Sequence, residues 1–180
     1  MTEYVLGLDP GLRGAGVLLY KGNPIHAFEL SKCKVSMAKI NSDKPLNLLS
    51  ATLITQALQA MPYKPEIIVL EVPLALPGLG LVAIATAHTN WGILLATVKL
   101  AYPDTKVELL LPITWTSAVW KRFCRDPINV KPKDKSRECY GRMWPAGPDG
   151  RSKTKATEGS IDAALIAFFW MWKNGLLPKP

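Results

Sequence analysis

Short apolar runs rich in strand formers open the chain. Tyr4–Asp9 (YVLGLD) closes on the turn Pro10-Gly11. Gly14–Tyr20 reads as a second strand and Pro24–Leu30 as a third, with Gly22-Asn23-Pro24 turning between them. Three successive strands joined this way predict an antiparallel meander. From Leu46 to Met61 the apolar residues Leu46, Leu49, Leu53, Ile54, Ala57, Leu58 and Met61 recur at helical spacing and predict an amphipathic helix. Glu66–Glu71 (EIIVLE) is continuously apolar between its acids, as a buried central parallel strand should be. A helix over Ala83–Tyr102, a strand over Lys106–Leu111 and a helix from Pro112 to about Phe123 follow. Two further helices are expected, Asp134–Trp144 and Glu158–Lys173, the second with Thr157 as its N-cap. The order β-β-β-α-β-α-β-α-α-α predicts an α/β layered domain, a mixed sheet with helices on its faces.

Composition narrows the class. A chain of 180 residues is the size of one domain, taken as 1–180, and 48% hydrophobic against 20% charged residues excludes a disordered chain. Cys33, Cys124 and Cys139 form no CxxC pair, and an odd count argues against a disulfide framework. With no signal or transit peptide before the first strand, a reducing, cytoplasmic setting is expected. The longest weakly polar stretch, Val72–Ala87, is 16 residues and falls short of the ~20 that a spanning helix needs, so no membrane partner is expected.

Charge is unevenly placed. The formal net charge is +8, yet residues 1–120 carry 9 basic and 8 acidic side chains, while 121–157 carry 11 and 4. That basic segment, around 125–157, is also rich in Pro, Gly and Ser and reads as flexible. A basic stretch beside a neutral body suits a polyanion, although a solvated surface loop has the same composition. Lys131, Lys133, Lys135 and Arg137 alternate along it and are the candidate phosphate contacts, with Lys121 and Arg122 behind them. Trp115, Trp120 and Trp144 have apolar neighbours in helical stretches and read as core more than as base-stacking platforms. His26 and His88 have no ligand-like spacing, and zinc is not indicated.

Four carboxylates stand where acids are costly. Asp9 and Glu71 each end an apolar strand, and the carboxyl ends of strands face the ligand crevice in open α/β sheets. The last helix is apolar nearly all round, with Asp162 its only charge between Glu158 and Lys173. Glu158 lies one turn earlier on the same face, near the positive end of the helix dipole. A turn former, a helix-start acid and a buried ion pair would explain these residues singly. Converging, they would form a cluster that repels itself unless divalent cations fill it, and Mg²⁺ or Mn²⁺ prefers such hard oxygen ligands.

Four blocks, in order, resemble one family. GLDPGLRGAGVLLY is similar to the first strand pair of RuvC-type Holliday-junction resolvases of the RNase H-like superfamily, IIVLEVP to their second acidic strand, and EGSIDAALIAFFW to their closing helix. LPITWTSAVWKRF with KPKDKSRECYGRMWP resembles the pattern of the phage and plastid branch. The resemblance, which runs from Val5 to about Trp172, implies an RNase H-like mixed five-stranded sheet flanked by helices on both faces. It implies Asp9, Glu71, Glu158 and Asp162 as catalytic, metal-binding acids holding two Mg²⁺ or Mn²⁺ ions. It further implies a homodimer that cuts opposed strands of a four-way junction, leaving 5′-phosphate and 3′-hydroxyl ends. Bacterial RuvC spaces its last two acids three apart, whereas Gly159 stands three before Asp162 here. The loop Pro73–Leu81 lies where RuvC relatives probe the junction, and its Pro, Gly and apolar residues could wedge between bases. The expected setting is a bacterial or phage-infected cell. A related nuclease acting on hybrids, flaps or branched DNA, and a non-catalytic junction binder, are the competing readings.

Overall fold

The structure is a computed structural model that describes residues 2–39, 42–74, 78, 80–125, 130–145 and 156–178. Strands β1 (Tyr4–Leu8), β2 (Ala15–Tyr20) and β3 (Asn23–Glu29) form the expected meander. After a 3₁₀ turn over Leu30–Lys32 come a hairpin, β4 (Lys34–Lys39) and β5 (Ser42–Leu49), and then α1 (Ala51–Gln59). The rest of the chain alternates as β6 (Ile67–Glu71), α2 (Leu81–Ala101), β7 (Lys106–Leu110), α3 (Pro112–Phe123), α4 (Pro132–Met143) and α5 (Glu158–Lys173). The main sheet has the order β3-β2-β1-β6-β7, with β1, β6 and β7 parallel.

The hairpin corrects the sequence reading, which placed one helix over Leu46–Met61. Leu46 and Leu48 alternate as strand positions in β5, paired with Met37 and Val35. The helix begins only after Ser50, whose Oγ accepts from the Leu53 N–H at 3.4 Å. Ser50 was the missed signal, an N-cap residue in the middle of the apparent helical period. Its own N–H closes the base of the hairpin on the Cys33 carbonyl at 2.7 Å.

Period-two alternation sorts the sheet residues between two cores. Val5, Ile67 and Val69 face α3, α4 and α5, whereas Leu6, Leu8, Ile68 and Leu70 face α1 and α2. Helix α5 is buried on nearly every side because it lies between the sheet and the α3–α4 layer, which explains its all-round apolar sequence. Gly7 permits the close approach, since a Cβ there would overlap the Ala163 carbonyl. Trp115 and Trp144 are core residues, 3% and 7% exposed.

Helix α2 is 21 residues long and, by length and composition, apolar enough to cross a membrane. Its sequence starts inside the Val72–Ala87 stretch and runs past it, so counting that stretch alone understated its length. The second half of α2 belongs to the core, however. Leu94 and Val98 are fully buried, and Asn90 Oδ1 accepts from the Leu49 N–H at 2.8 Å. The first half leaves Leu81 and Val82 85% and 67% exposed.

Candidate active site

Strand register brings the first two acids together. Leu8 pairs with Leu70 in the parallel β1–β6 ladder, so the next step along each strand sets Asp9 beside Glu71. Alternation turns both toward the α5 face, opposite to Leu8 and Leu70. The Asp9 carboxylate accepts from the Gly11 N–H at 3.3 Å, which ties it to the turn that Pro10-Gly11 begins.

Helix α5 brings the third acid. Thr157 caps it as expected, its Oγ1 accepting from the Ser160 N–H at 3.2 Å. Its first turn bridges to the β1–β2 turn through Gly159 and Gly14. A Cβ on Gly159 would overlap the Arg13 carbonyl and Gly14, so no acid could stand three residues before Asp162 in this packing. The sequence alone shows the departure at Gly159; its cause is this glycine-on-glycine contact.

Asp9, Glu71 and Asp162 sense one another. Burial chiefly, and then the Asp162 charge, raises the Asp9 carboxyl to about 7. Burial raises Glu71 to about 8, with Asp9 and Asp162 adding to the rise and a hydrogen bond from Trp115 opposing it. Burial likewise raises Asp162 to about 6, opposed by the neighbouring Ser136 hydroxyl. Three carboxyls raised by burial, with the charge of Asp162 reaching the other two, form a site short of positive charge.

Glu158 behaves differently. Lys133 Nζ donates to its Oε2 at 2.6 Å and Arg137 Nη2 to its Oε1 at 3.0 Å, and these cations hold its carboxyl below the ordinary range. Its charge reaches Asp162, and the two acids line one small crevice with Lys133, Ser136 and Arg137.

The donor set fits a divalent cation on the chemistry of its oxygens. Asp162 Oδ1 is buried and has no hydrogen-bond partner among the described residues, which leaves a lone pair facing the crevice unsatisfied. Among the described residues, no three carboxylate, imidazole or thiol groups are grouped tightly enough to hold an ion as they stand. The acids therefore converge without forming a closed cage.

The basic residues divide between faces. Lys133, Lys135 and Arg137 lie on α4, which begins two residues before the expected Asp134, and there i and i+4 share a face. Lys133 and Arg137 therefore reach Glu158 together, while Lys135 lies over the Trp120 ring at 5.2 Å. Lys131 is the exposed residue before the first turn of α4. Lys121 and Arg122 lie about two turns beyond Trp115 on α3, outside the rim around Glu158. The described part of the basic segment is thus mostly helix. In the loop Pro73–Leu81, residues Ala75, Leu76, Pro77 and Leu79 lie outside the described residues.

Two contributors went unread in the sequence. Trp115 Nε1 donates to Glu71 Oε1 at 2.7 Å, so this core residue also orients a site acid. Arg13, in the β1–β2 turn, adds its charge beside Glu158. A lone Arg next to an apolar strand pair carries no periodic signal; only its place one turn from Asp9 hinted at it.

A search of solved structures finds the same architecture. The RuvC of T. thermophilus in complex with a Holliday junction substrate superposes with a TM-score of 0.58 over 97% of both chains, at 14% identity. The fold is that of RuvC. The yeast mitochondrial Holliday junction resolvase Ydc2 gives 0.56 over 97% of this chain and 80% of its own, at 16% identity. The RuvC fold accounts for the mixed five-stranded sheet flanked by helices on both faces, as expected. No protein-family model and no curated protein sequence matches the chain.

Proposed function

We propose that this chain is a divalent-metal-dependent endodeoxyribonuclease that resolves four-way DNA junctions by paired nicks. The observation that carries the reading is the in-register pair Asp9 and Glu71 under Asp162, set in the RuvC fold. Structural neighbours that are themselves junction resolvases support the substrate class.

Asp9, Glu71 and Asp162 are the residues that would hold the metal. Bound divalent ions, two in number by the resemblance, would supply charge to activate a water and steady the leaving oxygen of a phosphodiester. The chain's own part would be to hold three desolvated carboxyls near one another, so that an arriving cation helps the protonated ones to ionise. Trp115 fixes Glu71 by one oxygen, and Gly11 fixes Asp9. Cations on α4 and in the β1–β2 turn would position the DNA backbone without reading bases.

Paired nicks need two sites, and we infer a homodimer. The exposed Leu81 and Val82 open α2 at the end of the sheet where β6 delivers Glu71, an apolar surface suited to a second copy. A cytoplasmic setting fits the three buried free thiols.

The deciding experiment is cleavage of a fixed four-way junction with Mg²⁺ and with Mn²⁺, mapping cuts on all four strands. Symmetric paired nicks are expected. Equal cutting of linear duplex, RNA–DNA hybrid and junction would instead favour a broader nuclease. Tight junction binding with no metal affinity by calorimetry would favour a non-catalytic binder.

A further inference from the structure

The grip on Glu158 is not explained by stability. Its partners Lys133 and Arg137 have side chains 69% and 54% exposed, and its own is 40% exposed. Ion pairs so open to water contribute little to a fold. Yet the geometry is specific, with one carboxylate oxygen on a lysine and the other on an arginine.

The surroundings suggest what the arrangement is for. A small crevice holding Ser136 and Asp162 opens beside the pair, so the clamp borders the acid cluster. On the other side a cleft of about 360 Å³ is lined by Arg13, Glu29, Ser31, Lys133, Thr157 and Glu158. The second acid of this cleft, Glu29, accepts from Ser31 Oγ at 3.0 Å. Lys133 and Arg137 thus both grip the Glu158 carboxylate, Arg137 also reaching Asp134 at 3.6 Å, and the charge of Arg13 acts on Glu158 across the cleft. Two anionic oxygens held by a lysine and an arginine imitate the two free oxygens of a phosphodiester.

We propose that Arg13, Lys133 and Arg137 form a binding subsite for a backbone phosphate of the DNA strand, next to Asp162, and that Glu158 occupies this subsite until DNA displaces it. The inference rests on the nuclease reading and assigns Glu158 to the substrate path. Glu158 lowers affinity for any polyanion, and the strand that displaces it gains both cations.

Binding of a labelled four-way junction and of a linear duplex, both in EDTA, tests this without any contribution from divalent ions. Glu158→Gln is expected to bind junction about 3–10-fold more tightly than the unaltered chain. Its dependence of log affinity on log salt is expected to steepen by about 1. Glu66→Gln removes the same charge from the exposed residue before β6, at the far end of the sheet, and is expected to give no such gain. In a Lys133→Met/Arg137→Met background the gain is expected to vanish, and Arg13→Ala is expected to diminish it; thermal melts check that each variant is folded. An unchanged or weaker affinity for Glu158→Gln, or a gain that survives loss of both cations, overturns the subsite. A gain seen equally on junction and duplex leaves the subsite standing and removes the junction preference from the proposed function. No DNA binding by any variant overturns both.

Discussion

At the scale of single residues, the raised acids make distinct predictions. Asp9→Asn and Asp162→Asn should lower metal-dependent cleavage by roughly 10²–10³-fold or more while junction binding persists, measured by single-turnover cleavage beside gel shift. Cutting at the normal rate by either variant would remove it from the site. The sign of the pH effect on stability follows from the direction of the shifts. Folded carboxyls raised to about 7, 8 and 6, from ordinary values of 3.8, 4.5 and 3.8, keep protons that the unfolded chain gives up. Their contribution is whole below about pH 4 and is lost as pH rises through 6 to 8. The metal-free protein should therefore melt on the order of 5 °C higher at pH 5 than at pH 8. Mg²⁺ should restore the difference at pH 8, and Asp9→Asn should flatten it; a calorimetric melt that rises with pH would contradict the buried cluster. Trp115→Phe removes the donor to Glu71, so metal affinity should fall roughly 10-fold and the cleavage–pH profile should move upward. Asp9, Glu71 and Asp162 stand out in the sequence because each ends or interrupts an apolar run, and Glu158 only because it lies one turn before Asp162. Trp115 could not, because an indole in a helix shows its packing value and not the partner of its N–H.

At the scale of elements, the site depends on how closely α5 approaches β1 and the turn after it. Gly159→Ala forces a methyl against the Arg13 carbonyl and Gly14, and should destabilise by about 1–3 kcal/mol while displacing Asp162. Thr157→Ala loses only the cap, about 1 kcal/mol, and should leave the cleavage rate of the folded protein close to normal. Urea midpoints paired with cleavage rates separate the two; equal loss of activity in both would argue against a specific role for the glycine contact. The meander, the apolar strand β6 and the helices α3 and α5 were legible because each carries one unbroken pattern between clear turn, proline or capping signals. The β4–β5 hairpin was not, because Leu46 and Leu49 satisfy a helical spacing while Leu46 and Leu48 satisfy a strand spacing. Pairing with Val35 and Met37 decided between them.

At the scale of the whole molecule, charge and surface govern the encounter with DNA. If a dimer engages about 6–10 phosphates, binding should weaken ~10³–10⁵-fold between 50 and 200 mM salt, measurable by fluorescence anisotropy. A flat salt response would argue against backbone binding. Leu81→Glu with Val82→Glu places charge on the exposed start of α2, and sedimentation should then report monomers that nick one strand at a time. The sequence by itself determined the strand and helix repertoire, the uneven basic charge and the identity of the four unusual acids, since burial period and the cost of a buried charge act along the local chain. Only the tertiary structure decided that Asp9 stands beside Glu71, that the charge of Asp162 reaches both, and that Glu158 turns to Lys133 and Arg137. Parallel pairing of β1 with β6 and the glycine contacts of α5 join residues more than sixty positions apart, and a side chain's charge state depends on neighbours that no local pattern encodes.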